Sequence, residues 1–142
     1  MMDLIIPQAA TPVILHERIM QFERFLRTLP QIEIPVEHFF APGVYVRQIR
    51  IPAGAFLTGS VYKEPHIHTI LQGRMEVATE NGVVQVKGPY TFVALPGFKR
   101  AGYAYEDTIW QAAFSNPDNE TDPEIIMARF IEGEPNVRIE EV

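Results

Sequence analysis

From Ile32 to Phe114 the chain is cut into short runs by proline and glycine: Pro35, Pro42-Gly43, Pro52-Ala53-Gly54, Gly59, Gly73, Asn81-Gly82, Gly88-Pro89, Pro96-Gly97 and Gly102. Turn signals at such regular spacing point to an all-β sandwich or barrel. The runs between them predict strands over Val44–Ile51, Val61–Leu71, Met75–Thr79, Val83–Lys87, Thr91–Leu95 and Thr108–Phe114. Asn81-Gly82, set between two of these runs, is the strongest hairpin signal in the chain.

The flanks follow a different period. Thr11-Pro12 reads as an N-cap followed by proline at the first helical position. Leu15, Ile19, Phe22, Leu26 and Leu29 then recur at spacings of four and three, which predicts one apolar face of a helix that Pro30 ends. Glu17, Arg18, Gln21, Glu23, Arg24 and Arg27 fall on the other side. The apolar stripe needs a partner, either the outside of the barrel or a second subunit. Beyond a polar loop at Asn116–Asp122, Asp122-Pro123-Glu124 again signals a cap, a proline and a first-turn carboxylate. Ile125, Ile126, Met127, Phe130 and Ile131 give that short helix its apolar side, and Glu132–Val142 reads as an acidic, mobile tail. The division is one domain, 1–142, with a helical segment over 1–31, a barrel over 32–115 and a C-terminal loop, helix and tail over 116–142.

A chain of 142 residues suits one domain. At that length roughly 70% of the unfolded surface is buried on folding, so a staple is not required. There is no cysteine, hence no disulfide, thiolate metal site or thiol nucleophile. A net charge of −6 with no basic run argues against nucleic acid as a partner. The N-terminal stretch Met1–Pro7 lacks the basic region of a signal peptide, and no segment approaches the ~20 apolar residues of a membrane span. These features predict a cytosolic protein.

Chemistry-bearing residues are few. His16 falls in the N-terminal helix and reads as solvated, while His38, ahead of the first long strand, reads as a packing or subunit-bridging residue. His66-Ile67-His68 is more informative, because residues two apart on a strand share a face and two imidazoles there converge on one point, as a metal requires. The bland alternative is an edge strand with two wet histidines. Tyr62 and Glu64 have the same parity if no bulge intervenes. In Val44–Ile51, an inward face made of Tyr45, Arg47, Ile49 and Ile51 turns Arg47 into the interior, whereas the opposite face turns Arg50 inward. Arg100 follows Pro96-Gly97-Phe98-Lys99 as a rim residue or a second inward cation. An inward guanidinium requires an interior carboxylate, such as Glu64 or Glu76, or an anionic ligand.

The stretch from Gly59 to Arg100 resembles the two sequence motifs of the cupin superfamily. His66 and His68 match its paired histidines, although six residues separate Gly59 from His66 where the motif has five. Leu71–Val77 is similar to the strand–turn–strand that closes the first motif, but the interval from His68 to Gly73 is short and lacks the metal-binding Glu. In the second motif Gly97 is correctly spaced, yet Arg100 stands where the family has a ligating His and Ala104 where it has Asn. Over a longer span, through Pro30-Gln31 with Ile34–Gly43, Ile51–Gly54 with Leu57–Gly59, Gln72–Val77 and Gly88–Trp110, the chain resembles small cupin-like proteins of bacteriophages and prophages.

That resemblance implies a mainly β, jelly-roll barrel, a homodimer and a site inside the barrel. The expected function is binding of a small polar, anionic molecule by Tyr62, His66, His68, Arg100 and Arg47, in the bacterial cytoplasm of an infected or lysogenic host. Two alternatives stand beside it. One is a metal-dependent isomerase, lyase or dioxygenase with a divalent metal ion on His66 and His68. The other is a structural phage protein that uses the jelly roll for assembly.

Overall fold

The computed structural model describes residues 12–79, 82–132 and 138–140, with backbone alone for 12–16, 79 and 138–140. The elements run α1 (Pro12–Leu26), β1 (Val36–Ala41), β2 (Gly43–Ile51), β3 (Ala55–Thr58), β4 (Val61–Tyr62), β5 (His66–Gln72), β6 (Arg74–Thr79), β7 (Gly82–Lys87), β8 (Tyr90–Ala94), β9 (Ala101–Ala104), β10 (Thr108–Asn116), α2 (Pro123–Phe130), β11 (Ile131–Glu132) and β12 (Arg138–Glu140). Thr11, Asn81 and the side chains of Leu15 and His16 lie outside the described residues.

The strands form two five-stranded antiparallel sheets, β1-β2-β10-β5-β8 and β12-β3-β9-β6-β7, with β4 and β11 as a separate pair. The alternation of the sequence sets what each sheet buries. In β5 His66, His68 and Ile70 are buried while Ile67 and Leu71 are exposed. In β2 Tyr45, Ile49 and Ile51 turn inward and Arg50 turns out to pair with Glu37 at 2.8 Å. Ile49 and Ile51 of the first sheet meet Leu57, Met75 and Val77 of the second, forming the core between them. This is the predicted jelly-roll barrel.

Several elements differ from expectation. Val61–Leu71 is not one strand, because it breaks at Lys63–Pro65, where proline cannot donate to the ladder. β1, β3 and β9 were not predicted; the last two are four-residue strands, too short to show a period. Ile131 leaves the helix for β11. The acidic tail is not wholly loose, since β12 pairs with β3 along Arg138↔Leu57, Ile139↔Phe56 and Glu140↔Ala55.

Helix α1 packs on the outer face of the second sheet, so its stripe is covered by its own barrel. Ile19 and Leu26 are fully buried against Phe56, Phe98, Ala78 and Ala101, with Phe22 and Leu29 alongside. Glu23, read as a residue of the polar face, is 4% exposed. Its carboxylate receives Lys99 Nζ at 2.8 Å and the Thr58 hydroxyl. Lys99 is itself only 3% exposed. A carboxylate thus pins the helix to the end of β3 and to the loop before β9.

At the other end, Asp122 caps α2 by accepting from Glu124 N at 3.0 Å, and Pro123 occupies the first turn, as the sequence predicts. Ile126 and Phe130 of α2 pack on Tyr45, Ala112 and Phe114.

The Glu23–Lys99 pair generates a test. Glu23→Ala leaves a buried ammonium uncompensated and is expected to destabilise the fold by about 3–5 kcal/mol. The double replacement Glu23→Leu/Lys99→Met is expected to recover most of that loss. Urea unfolding of the three proteins measures both.

Candidate functional site

A cavity of about 90 Å³ lies between the two sheets. That is several times the roughly 10–15 Å³ one water needs by a like measure. Its walls come from Arg47, Ile49 and Ile51 of β2, Leu57 of β3, Tyr62 of β4, His68 of β5, Met75 and Val77 of β6, and Trp110 and Ala112 of β10, together with Gly59, Ser60 and Arg100–Gly102. Arg47, Tyr62, His68 and Arg100 therefore meet at one place.

The strand register explains the meeting. Arg47 pairs with Ala112, and Ala112 pairs with His68, so a cation and an imidazole flank a small residue on one cross-strand row. The next row inward is apolar, with Ile49 opposite Trp110 and Trp110 opposite Ile70. Arg100 enters from the other sheet, just ahead of β9. Its carbonyl accepts from Gly59 N at 2.8 Å, tying the two wall segments together. The inward reading of Arg47 and Arg100 agrees with these positions, whereas Arg50 faces out.

His66 is not on the cavity wall. It stacks behind, on Phe114 at 4.7 Å and under Tyr62 at 4.2 Å, with His68 at 4.5 Å between ring centroids. Glu64 is exposed, because the break at Lys63–Pro65 upsets the parity that placed it inside. Glu76 lies between the inward residues Met75 and Val77 and accepts from the Tyr105 hydroxyl at 3.0 Å. Neither acid reaches the cavity, and no Asp or Glu lines it among the described residues. His38 stays at the surface, with Nδ1 2.7 Å from the Tyr45 hydroxyl.

The two clustered imidazoles are held in opposite tautomers. Trp110 Nε1 donates to His68 Nδ1 at 2.6 Å. An indole N–H can only donate, so Nδ1 carries the lone pair and the proton of neutral His68 sits on Nε2. His66 Nδ1 faces the Glu64 carbonyl at 3.2 Å, which only accepts, so its proton is on Nδ1. The remaining lone pair, on His66 Nε2, is buried with no hydrogen-bond partner among the described residues. Both rings stay neutral: burial pushes His68 well below the usual histidine value, helped by His66 and Arg100. Burial also lowers His66, where the Glu64 hydrogen bond opposes it and Arg100 adds to it.

A divalent metal fits this set poorly. Ligation through Nε2 needs a lone pair there, and Trp110 has placed the proton of His68 on that atom. The cavity also presents two guanidinium groups, and no cluster of three His, Cys, Asp or Glu occurs among the described residues. Sequence reasoning missed Trp110 and Ser60 as wall residues. Trp110 could have been found from its inward parity on β10, but its bond to His68 depends on a strand register that the sequence does not print.

The titration of the imidazoles has a sign. Both folded values lie below the unfolded value near 6.5, so the unfolded chain takes up more protons as pH falls beneath it. Stability is expected to be level above pH 7 and to fall by up to about 1.4 kcal/mol per pH unit per histidine below ~6.5. Urea unfolding between pH 7.5 and 5.5 measures this, and His68→Gln is expected to flatten the slope.

No family model matches this chain, and no curated protein matches it. Solved structures do. Ectoine synthase from P. lautus is similar at 11% identity and a TM-score of 0.56, covering 79% of this chain and 82% of that one. KdgF from Halomonas sp. is similar at 19% identity and a TM-score of 0.50, covering 63% of this chain and 89% of that one. The cupin domain of Schizosaccharomyces pombe Cnp3 matches at 15% identity and a TM-score of 0.49, covering 64% of this chain and 72% of that one. At 11% and 19% identity the likeness to ectoine synthase and KdgF shows the fold alone, a cupin-like antiparallel barrel.

Proposed function

We propose that this protein binds a small anionic molecule inside its cupin-like barrel. One observation carries the reading: the cavity wall holds the guanidinium groups of Arg47 and Arg100 and, among the described residues, no carboxylate. A guanidinium facing a low-dielectric interior favours an anion there, and its planar fork suits a carboxylate or phosphate. The neutral N–H of His68 and the Tyr62 and Ser60 side chains add polar contacts on the same wall. The metal-dependent alternative draws no comparable support, since the same wall would repel a cation.

The resemblance to phage and prophage proteins supplies a setting, the bacterial cytoplasm, and a homodimer. The outer face of the first sheet offers an apolar surface for such pairing. Phe39, Val46, Ala113, Ile67 and Val93 stand opposite one another across all five strands. Val93 is 61% exposed and Ile67 and Phe39 are 48% exposed.

Small carboxylates or phosphates are expected to raise the melting temperature of the wild-type protein. A ligand at a hundred times its dissociation constant adds about 2.7 kcal/mol, enough to read as a shift. Arg100→Ala is expected to abolish the shift, and Lys87→Ala, at an exposed site on β7, to keep it. An anion panel without effect on the wild type would sink the reading. Light scattering tests the pairing separately: a 16.2 kDa species at micromolar concentration means that the chain is monomeric.

A further inference from the structure

We propose that Trp110 converts His68 from a candidate metal ligand into a hydrogen-bond donor for the head of a monocarboxylate, whose short apolar tail lies along Ile49, Leu57, Met75 and Val77. The inference rests on the anion reading of the cavity and narrows it to one chemical class.

The head is specified by the donors. His68 lines the cavity, and its Nδ1 is taken by the indole of Trp110 at 2.6 Å. The polar atom it has left for a ligand is Nε2–H, which only donates while the ring is neutral. Arg47 and Arg100 also only donate. Acceptors alone satisfy such a set, and a carboxylate offers two oxygens with about four acceptor sites. The ring is held from both sides, by Phe92 stacked at 5.3 Å and 11° and by Trp110 edge-on at 5.5 Å and 84°. It cannot turn its other nitrogen to the cavity without breaking the indole bond.

The tail is specified by the rest of the wall. Along β2 the lining passes from Arg47 to Ile49 and Ile51, and along the second sheet from Gly59 and Arg100 to Leu57, Val77 and Met75. One end is cationic and polar; the other is aliphatic. A tetrahedral phosphate would leave the aliphatic end unfilled, and a dicarboxylate would bury its second charge there at a large cost. A volume of about 90 Å³ limits the tail to a few carbon atoms.

The full-length protein allows three measurements. Nitrogen-15 correlation spectra of the histidine rings read the tautomers of the free wild type directly. His68 is expected as Nε2–H and His66 as Nδ1–H; His68 as Nδ1–H overturns the lock. Cobalt(II), followed by visible absorption, tests what the lock excludes. Arg100→His with Trp110 intact is expected to bind cobalt about tenfold more weakly than Arg100→His/Trp110→Phe, the worth of one neutral hydrogen bond. Equal affinities overturn it, and circular dichroism confirms that both variants are folded.

The ligand class is tested by melting shifts with butyrate, butyramide and inorganic phosphate. Butyrate is expected to stabilise the wild type most, and Trp110→Phe to weaken butyrate about tenfold. Butyramide as effective as butyrate overturns the carboxylate head. Phosphate more effective than butyrate overturns the tail while leaving the anion reading standing. Silence from all three compounds removes both.

Discussion

The carboxylate of Glu23 is the joint on which the barrel's arrangement turns. It is buried, it belongs to a helix outside the sheets, and it is met by Lys99 at 2.8 Å. Two charges taken out of water need close geometry and further hydrogen bonds to be tolerated, and the Thr58 hydroxyl supplies one of these. The consequence reaches the cavity through two covalent neighbours. Thr58 precedes Gly59 and Lys99 precedes Arg100, and Gly59 N bonds the Arg100 carbonyl at 2.8 Å. The helix therefore fixes the backbone that carries one of the two guanidinium groups, from the dry outer side of the sheet.

Much of the architecture was legible because β structure writes itself at period two. Once Tyr45, Ile49 and Ile51 are taken as the buried face of β2, Arg47 must follow them inward and Arg50 must not, and the structure agrees. The cap of α2 was equally plain, because Asp-Pro-Glu has few other uses. The sequence failed where one residue disturbed the count. Pro65 ends β4 before β5 begins, and Glu64, placed inside by parity, lands in solvent. Glu23 was misread for a different reason: a charge on a helix face signals water unless its partner is known, and Lys99 lies far along the chain. His66 shares the inward face with His68, but sharing a face did not bring both to the cavity, because Tyr62 and Phe114 close around the first ring.

The histidine pair shows how little a motif fixes by itself. Two imidazoles on alternate positions of a strand are compatible with a metal, a proton relay or a plain hydrogen-bond site. Their second nitrogens decide among these. A carbonyl behind His66 and an indole behind His68 give the two rings opposite polarity at distances of 3.2 and 2.6 Å. Arg100 moves the field of the cavity the same way, since its charge opposes protonation of both rings.

The pairing of β12 with β3 bears on more than the closure of one sheet. An edge strand displays a row of unused amide and carbonyl groups that any extended chain can complete. Here β12 occupies that row beside Ala55, Phe56 and Leu57, all of them buried. This short strand acts as a stopper on a sticky seam. Clipped or displaced, it would uncover a template flanked by apolar side chains, and neighbouring molecules would be drawn to add their own strands to it.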